Sequence, residues 1–435
     1  MATSVRVTFW GFPGSGMDPV YLCIVTHMVS LTVQAKLKGS SASYASFAAF
    51  GVFWGTWGAS IPRIRDQSGL TDGQLGTALL FIGAGALPAM LLAGRLLDRF
   101  GLRITTATAL ILQAAAGLCV AVTATGMTSL CLGLLLVGAS SGAADVAINA
   151  GAGSAEKKTH RPVITRSHGT FSAFVVISSL FTGVLNRLEM TPAVGFYLVA
   201  ASMFLAAGYV LFALLPQARS SRETQPSEPE RAKATKAVPA IRAAFPVLPV
   251  ALVGLLAALA LAGENAHQSW AAVFFEDVLG TGSDLSSTAP AVFAAVAAVT
   301  RFSTGRLNPA HATRTVILGA AAATAGAALI AGSTNVATAW VGLAVAAAGT
   351  AVLYPTLLGV VSRATSAAAQ GRATSLLATV SYLGFLLGPV YVGLWSEAAG
   401  LRGAMIAVAA LGAILLFLAP VLLRGISTNS LQRKG

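Results

Sequence analysis

Residues 94–103 read Gly94-Arg95-Leu96-Leu97-Asp98-Arg99-Phe100-Gly101-Leu102-Arg103 and separate two apolar runs, Leu75–Arg95 and Ile104–Ala124. Each run reaches the roughly 20 apolar residues needed to cross a bilayer, so the decapeptide is a turn between two spans. Its glycines permit close helix approach and positive φ. Asp98 has two candidate partners: an arginine, or the positive N-terminal end of a neighbouring helix. Two glycines, one acid and three arginines in this frame exceed what a plain topology-fixing turn requires.

The composition agrees. The chain has 435 residues, 55% hydrophobic and only 10% charged, where soluble domains carry about 25% charge. Mean hydropathy is +0.76, which excludes a cytosolic enzyme and a disordered chain alike. The 45 glycines and 17 prolines suit a membrane bundle, where both are commoner than in soluble helices. Cys23, Cys119 and Cys131 form no CxxC pair or metal spacing, so no disulfide or redox role follows.

Twelve apolar runs of spanning length appear, too long and too unbroken for the alternating strands of an outer-membrane barrel. Helices are the expected form, because open sheet cannot satisfy its backbone in lipid. The expected fold class is all-α integral membrane: twelve transmembrane helices in two six-helix bundles. A polar, proline-containing stretch, Gln217–Ala240, divides them six and six and reads as a flexible linker. The predicted organisation is an N-terminal tail over 1–41, bundles over 42–216 and 246–424, a linker over 217–245, and a C-terminal tail over 425–435. Residues 1–41 are broken by Gly, Pro and Asp and make a poor signal peptide; a disordered tail, or a true start at Met28, is expected.

Charge sets the orientation. Of the 28 lysines and arginines, Arg63, Arg65, Arg187 and Arg402 fall on one side and the other 24 on the opposite side. The positive-inside rule then places both termini in the cytoplasm of an inner membrane. The same asymmetry accounts for the net charge of +13, so nucleic acid is not an expected partner. Two short matches, Trp57-Gly58-Ala59 with Trp270-Ala271-Ala272 and Gly94-Arg95-Leu96 with Gly305-Arg306-Leu307, lie at offsets of 213 and 211 residues. They are consistent with parallel half-repeats.

The turn at 94–103 resembles the signature loop of the major facilitator superfamily and matches each signature position. By that resemblance Gly94, Asp98, Arg99, Gly101 and Arg103 form a cytoplasmic gate that holds the outward-facing state. The second-half copy has Asn308 and Pro309 where the acid would stand, implying an asymmetric gate. Further segments resemble the fucose-permease-like branch: Trp57–Arg65, Asp145–Asn149, Ser167–Ser172, Glu264-Asn265-Ala266 and Tyr382–Pro389. The branch implies import by symport of sugar-like cargo. One departure is Ser269, where the branch pattern has an acid before the Trp.

Ionisable residues within spans are costly and usually functional. Only Asp145 and Glu264 qualify among the acids. Asp145 and Asn149, at i and i+4, share a helix face and read either as a polar lining of the inner path or a proton-linked switch, with Asp145 a second candidate for proton coupling and Asn149 a candidate cargo contact, or as a structural lock of Asp145 to Arg103, Arg166 or another helix. Burial disfavours the charged form of a carboxylate, which suits Glu264 as the proton carrier. His267, Gln268 and Trp270 on the same span, with Trp54 and Trp57 on the first, are candidate cargo contacts, although Trp residues near a boundary also serve as interface anchors. His168 reads as a cap or loop anchor, or as a proton relay. Gly384, Gly388 and Pro389 form a small-residue face and a candidate hinge.

There is no Walker loop, metal spacing or other enzyme signature. The expected function is proton-coupled movement of a small, sugar-like or related polar metabolite, by a monomer in the lipid bilayer. No cofactor beyond the proton gradient is expected. Proton-antiport export of a drug or metabolite is the close alternative, and a non-transporting sensor or scaffold the remote one.

Overall fold

The computed structural model describes residues 19–214, 247–304, 309–365 and 367–424. The expected linker, the C-terminal tail, residues 1–18 and the degraded motif at 305–308 lie outside these. Within them the chain is helical and has no strand. The first half comprises α1 (Pro19–Ser68), α2 (Asp72–Thr123), α3 (Met127–Thr159), α4 (Val163–Arg187) and α5 (Pro192–Ala213). The second comprises α6 (Val247–Asp277), α7 (Ser283–Ser286), α8 (Thr288–Thr304), α9 (Ala312–Gly332), α10 (Val336–Ala364) and α11 (Ala367–Arg424).

Nine helices among the described residues are long and apolar enough to cross a membrane. Two of these stretches have 52 residues each, about 78 Å of helix and far more than one crossing. Both break at a glycine: Gly101 at φ 76° in α2 and Gly400 at φ 72° in α11. A left-handed residue reverses the chain, and only glycine adopts it without a Cβ penalty. The signature glycine Gly101 is thus the corner itself. Thr71 starts α2 with a capping box, accepting from Gln74 N while Gln74 Oε1 accepts from Thr71 N.

The tail over 1–41 was expected to be disordered, yet α1 begins at Pro19 and runs unbroken into the first span. Proline is favoured in the first turn of a helix, and residues 20–38 contain neither Gly nor Pro to stop it.

Helices pack mainly within each half: α2 on α3 and α5, α1 on α4, α6 on α10 and α11, and α9 on α10 and α11. The halves meet along two seams, α2 against α11 and α4 against α8. Their cores show a difference between the two ends of the molecule. Near Arg65 a single apolar cluster spans both halves, with Ile61, Leu79 and Phe196 of the first joined to Trp270, Phe274 and Val392 of the second. Toward the basic end, where Asp98 and Arg103 lie, the clusters are separate: Phe47, Ile148 and Val163 in one half, Val253, Leu357 and Leu377 in the other. The perimeter is apolar and unpartnered, as Leu91 at 79% and Leu205 at 76% exposure illustrate; only lipid would cover such a surface without cost.

Candidate functional site

A cavity of about 240 Å³ lies between the halves. The first half contributes Trp54, Trp57, Phe171 and Ser172, and the second Asn265, Gln268, Phe293, Phe385 and Arg301. Arg301 is its one charged wall residue.

Helical periodicity explains which residues of α6 face it. At 100° per residue, Asn265, Gln268 and Ser269 share an arc that forms wall, with Glu264 at its flank. His267 and Trp270 fall on the opposite arc and are 1% and 0% exposed. His267 places Nδ1 2.6 Å from Gly263 O and stacks on Phe293, and Trp270 Nε1 donates to Pro389 O at 3.1 Å. Neither reaches this cavity, which corrects their reading as cargo contacts. Trp54, Trp57 and Gln268 do line it.

Glu264 is the one buried carboxylate residue among those described, at 8% exposure. Arg301 Nη2 donates to its Oε1 at 2.7 Å, and Gln268 Nε2 to the same oxygen at 3.1 Å. Oε2 meets no described partner. Arg301 was counted with the cytoplasmic loop charges in the sequence; its long side chain instead reaches back to the cavity from α8, and Arg301 is the main wall residue that periodicity missed.

Two prolines shape the wall. Proline lacks the N–H that would serve the carbonyl four residues earlier. Pro389 therefore leaves Phe385 O unserved, and Asn265 Nδ2 donates to it at 2.6 Å. Pro355 does the same for Ala351 O, which accepts from Arg301 Nε at 3.4 Å. Gly384 and Gly388 pack directly on α6: a Cβ on them would stand 1.9 Å from Ala258 O and 2.6 Å from Ala262 O. These two glycines form a tight helix seam.

On the first half, Asn149 Nδ2 donates to Asp145 Oδ1 at 3.1 Å, and its Oδ1 lies 3.2 Å from His168 Nε2. His168 also packs edge-on against Phe47 at 5.0 Å, so it bridges α4 to α1 and α3 and caps nothing. Asp145 forms no ion pair among the described residues: Arg103 instead donates from Nε to Leu211 O at 2.7 Å. Asn149 is not in the cavity wall.

The ends differ in polar contacts as in core packing. Arg65 pairs with Asp66, with Asp72 at 3.0 Å, and across the halves with Asp277 through Nη2–Oδ1 at 3.0 Å and a second, shorter contact. Thr71 donates to Glu397 at 2.7 Å, Ser396 to Asp72, and Asn186 to Ser283 O and Ser287 Oγ at 3.0 Å each. Among the described residues the hydrogen bonds found between the halves cluster at this end. At the other end Asp98 is exposed and pairs with no described residue, Arg99 lies over Phe100, and Gly94 would accept a Cβ with nothing within 4 Å. At the Arg65 end these contacts join the two halves. Asp277 and Glu397 lie more than 200 residues from their partners, and no motif in the sequence joins them. Among the described residues no group of three or more His, Cys, Asp or Glu is placed to hold a metal.

Two bundles meeting around a central cavity, joined by polar contacts at one end, define a membrane transporter. The profile of the Major Facilitator Superfamily matches residues 42–345, and the chain belongs to that family. It is 28% identical to an uncharacterized transporter, y4wD, of Sinorhizobium fredii over 374 residues, 83% of this chain and 92% of that one. The nucleoside transporter NupG shares the fold with TM-score 0.67 and 14% identity, over 90% of this chain and 99% of that one. A D-xylose-proton symporter does so at 0.62 and 15%, over 93% and 99%.

Proposed function

We propose that this transporter has twelve spans, keeps its basic end in the cytoplasm, and imports a small organic molecule with a proton by alternating access. In this reading the molecule is inward-facing: the Arg65 network closes the outside, and the motif around Asp98 is released. Glu264 is the proton carrier. The single observation that carries this is its position, a buried carboxylate directly behind the cavity wall, held through one oxygen by Arg301 and Gln268.

A proton on Oε2 would cancel the charge that holds Arg301, freeing the guanidinium to move. Loss of that proton restores the pair. Protonation thereby becomes a rearrangement of the wall between α6 and α8, which is what coupling requires. Asp145, Asn149 and His168 line the inner exit. Import rests on the fucose-permease resemblance; the proton-antiport exporter would use the same carboxylate in the opposite sense.

The test is Glu264→Gln in proteoliposomes. Gln keeps the shape and cannot titrate. Accumulation against a gradient should be lost, while downhill exchange of cargo continues. Unchanged proton-driven accumulation would refute the assignment.

A further inference from the structure

Resting on the reading of Glu264 as proton carrier, we infer that the cargo is an organic monocarboxylate with a flat, largely apolar ring, and that its carboxylate binds Arg301 in place of Glu264. The charge inventory of the wall is the first ground. Arg301 is the one ionised group lining the cavity, and no acid lines it. Glu264 uses one N–H of Nη2, and Nε is directed at Ala351 O at 3.4 Å. Nη1 meets no described partner, and the side chain keeps 46% of its exposure. A guanidinium with open donors matches a carboxylate in two-pronged geometry.

The second ground is what the remaining wall offers. Trp54, Trp57 and Phe171 face the space from one half and Phe293 and Phe385 from the other, surfaces suited to the faces and edges of a ring. The amides are partly engaged within the protein. Asn265 spends Nδ2 on Phe385 O and Oδ1 on Ser269, and Gln268 spends Nε2 on Glu264. A neutral sugar would bring several hydroxyls to a wall that is mainly aromatic and aliphatic, with Ser172, Ser269, Asn265, Gln268 and two indole N–H groups as its uncharged polar partners, and each unpaired hydroxyl is costly to bury. A ring acid needs one cation and apolar contact, and the cavity supplies both.

Coupling follows from exchange of partners. When a cargo carboxylate takes Arg301, Glu264 is left buried without its cation and takes up a proton. One anion and one proton then cross together, with no net charge moved.

The probes are benzoate and benzamide, which share a ring and differ in charge, together with D-glucose as a neutral polyol. Each is titrated against the purified full chain at pH 7, read by the fluorescence of the cavity tryptophans. Benzoate is expected to bind at least tenfold more tightly than benzamide. Arg301→Gln should abolish that preference, and Glu264→Gln, lacking the competing carboxylate, should bind benzoate several-fold more tightly than wild type. No saturable benzoate binding, equal binding of acid and amide, or tighter binding of glucose would overturn the proposal. Should Arg301→Gln fail to fold, Glu264→Gln decides: benzoate affinity unchanged or weaker rejects it. Cargo-dependent proton entry into proteoliposomes, corrected for protein-free vesicles, separates the two readings. Glucose-driven entry lost in Glu264→Gln keeps the coupling and rejects the acid cargo. Arg301-dependent benzoate preference without protein-dependent proton entry keeps the cargo and rejects the coupling.

Discussion

Single residues divide into those visible in the sequence and those that only folding assembles. Glu264 and Asp145 stand out because a charge inside an apolar run is conspicuous. Arg65 looked like one of four outer charges, and its role depends on Asp72 and Asp277 arriving beside it. Arg301 was mislaid for a related reason: a side chain of its length reaches far from the helix end where counting puts it. Arg65 is 12% exposed and its three acidic partners 59%, 20% and 32%, so the network is partly screened by water. Losing it should favour opening of the Arg65 end, the outer face in the proposed orientation, by about 1–2 kcal/mol, a five- to thirtyfold shift. Arg65→Gln is expected to raise outside labelling of Ala294→Cys, a cavity-wall position, by an impermeant thiol reagent in a background free of native cysteines. Labelling equal to that of the parent protein would show that the apolar cluster beneath does the closing alone.

At the level of helices, hydropathy made the long apolar helices legible, because a 20-residue apolar run is long compared with the uncertainty at its ends. The corner at Gly101 was legible from its motif. The start of α1 was not, since scattered Gly and Pro before residue 20 suggested a break that the following residues do not continue. The glycines of the sequence look alike, yet their surroundings separate them. At Gly384 any side chain would drive α6 from α11, and overpacking of this kind costs about 1–3 kcal/mol. Gly384→Val should therefore lower the thermal unfolding midpoint in detergent markedly. Gly94→Ala, with open space around it and a helical backbone, should leave stability unchanged or raise it by up to about 1 kcal/mol. Similar losses in both variants would contradict the packing assignment.

For the whole molecule, the two-bundle fold was legible in the long apolar runs and in the signature motif at 94–103. The state in which the bundles stand was not, because it depends on contacts between residues in different halves, such as Thr71 with Glu397. Those contacts have a consequence for the surroundings the transporter works in. The contacts on one face are built from charges of opposite sign at the water boundary, whereas among the described residues the separated apolar clusters at the other face carry no equivalent. Dissolved ions shorten the reach of such attractions, from about 30 Å at 0.01 M to about 3 Å at 1 M. Outside labelling of Ala294→Cys should accordingly rise as external sodium chloride is increased, and the rise should be much smaller once Arg65 is neutral. The salinity of the medium would then act on the transporter directly, setting how readily the empty protein turns its cavity outward before any cargo or proton arrives.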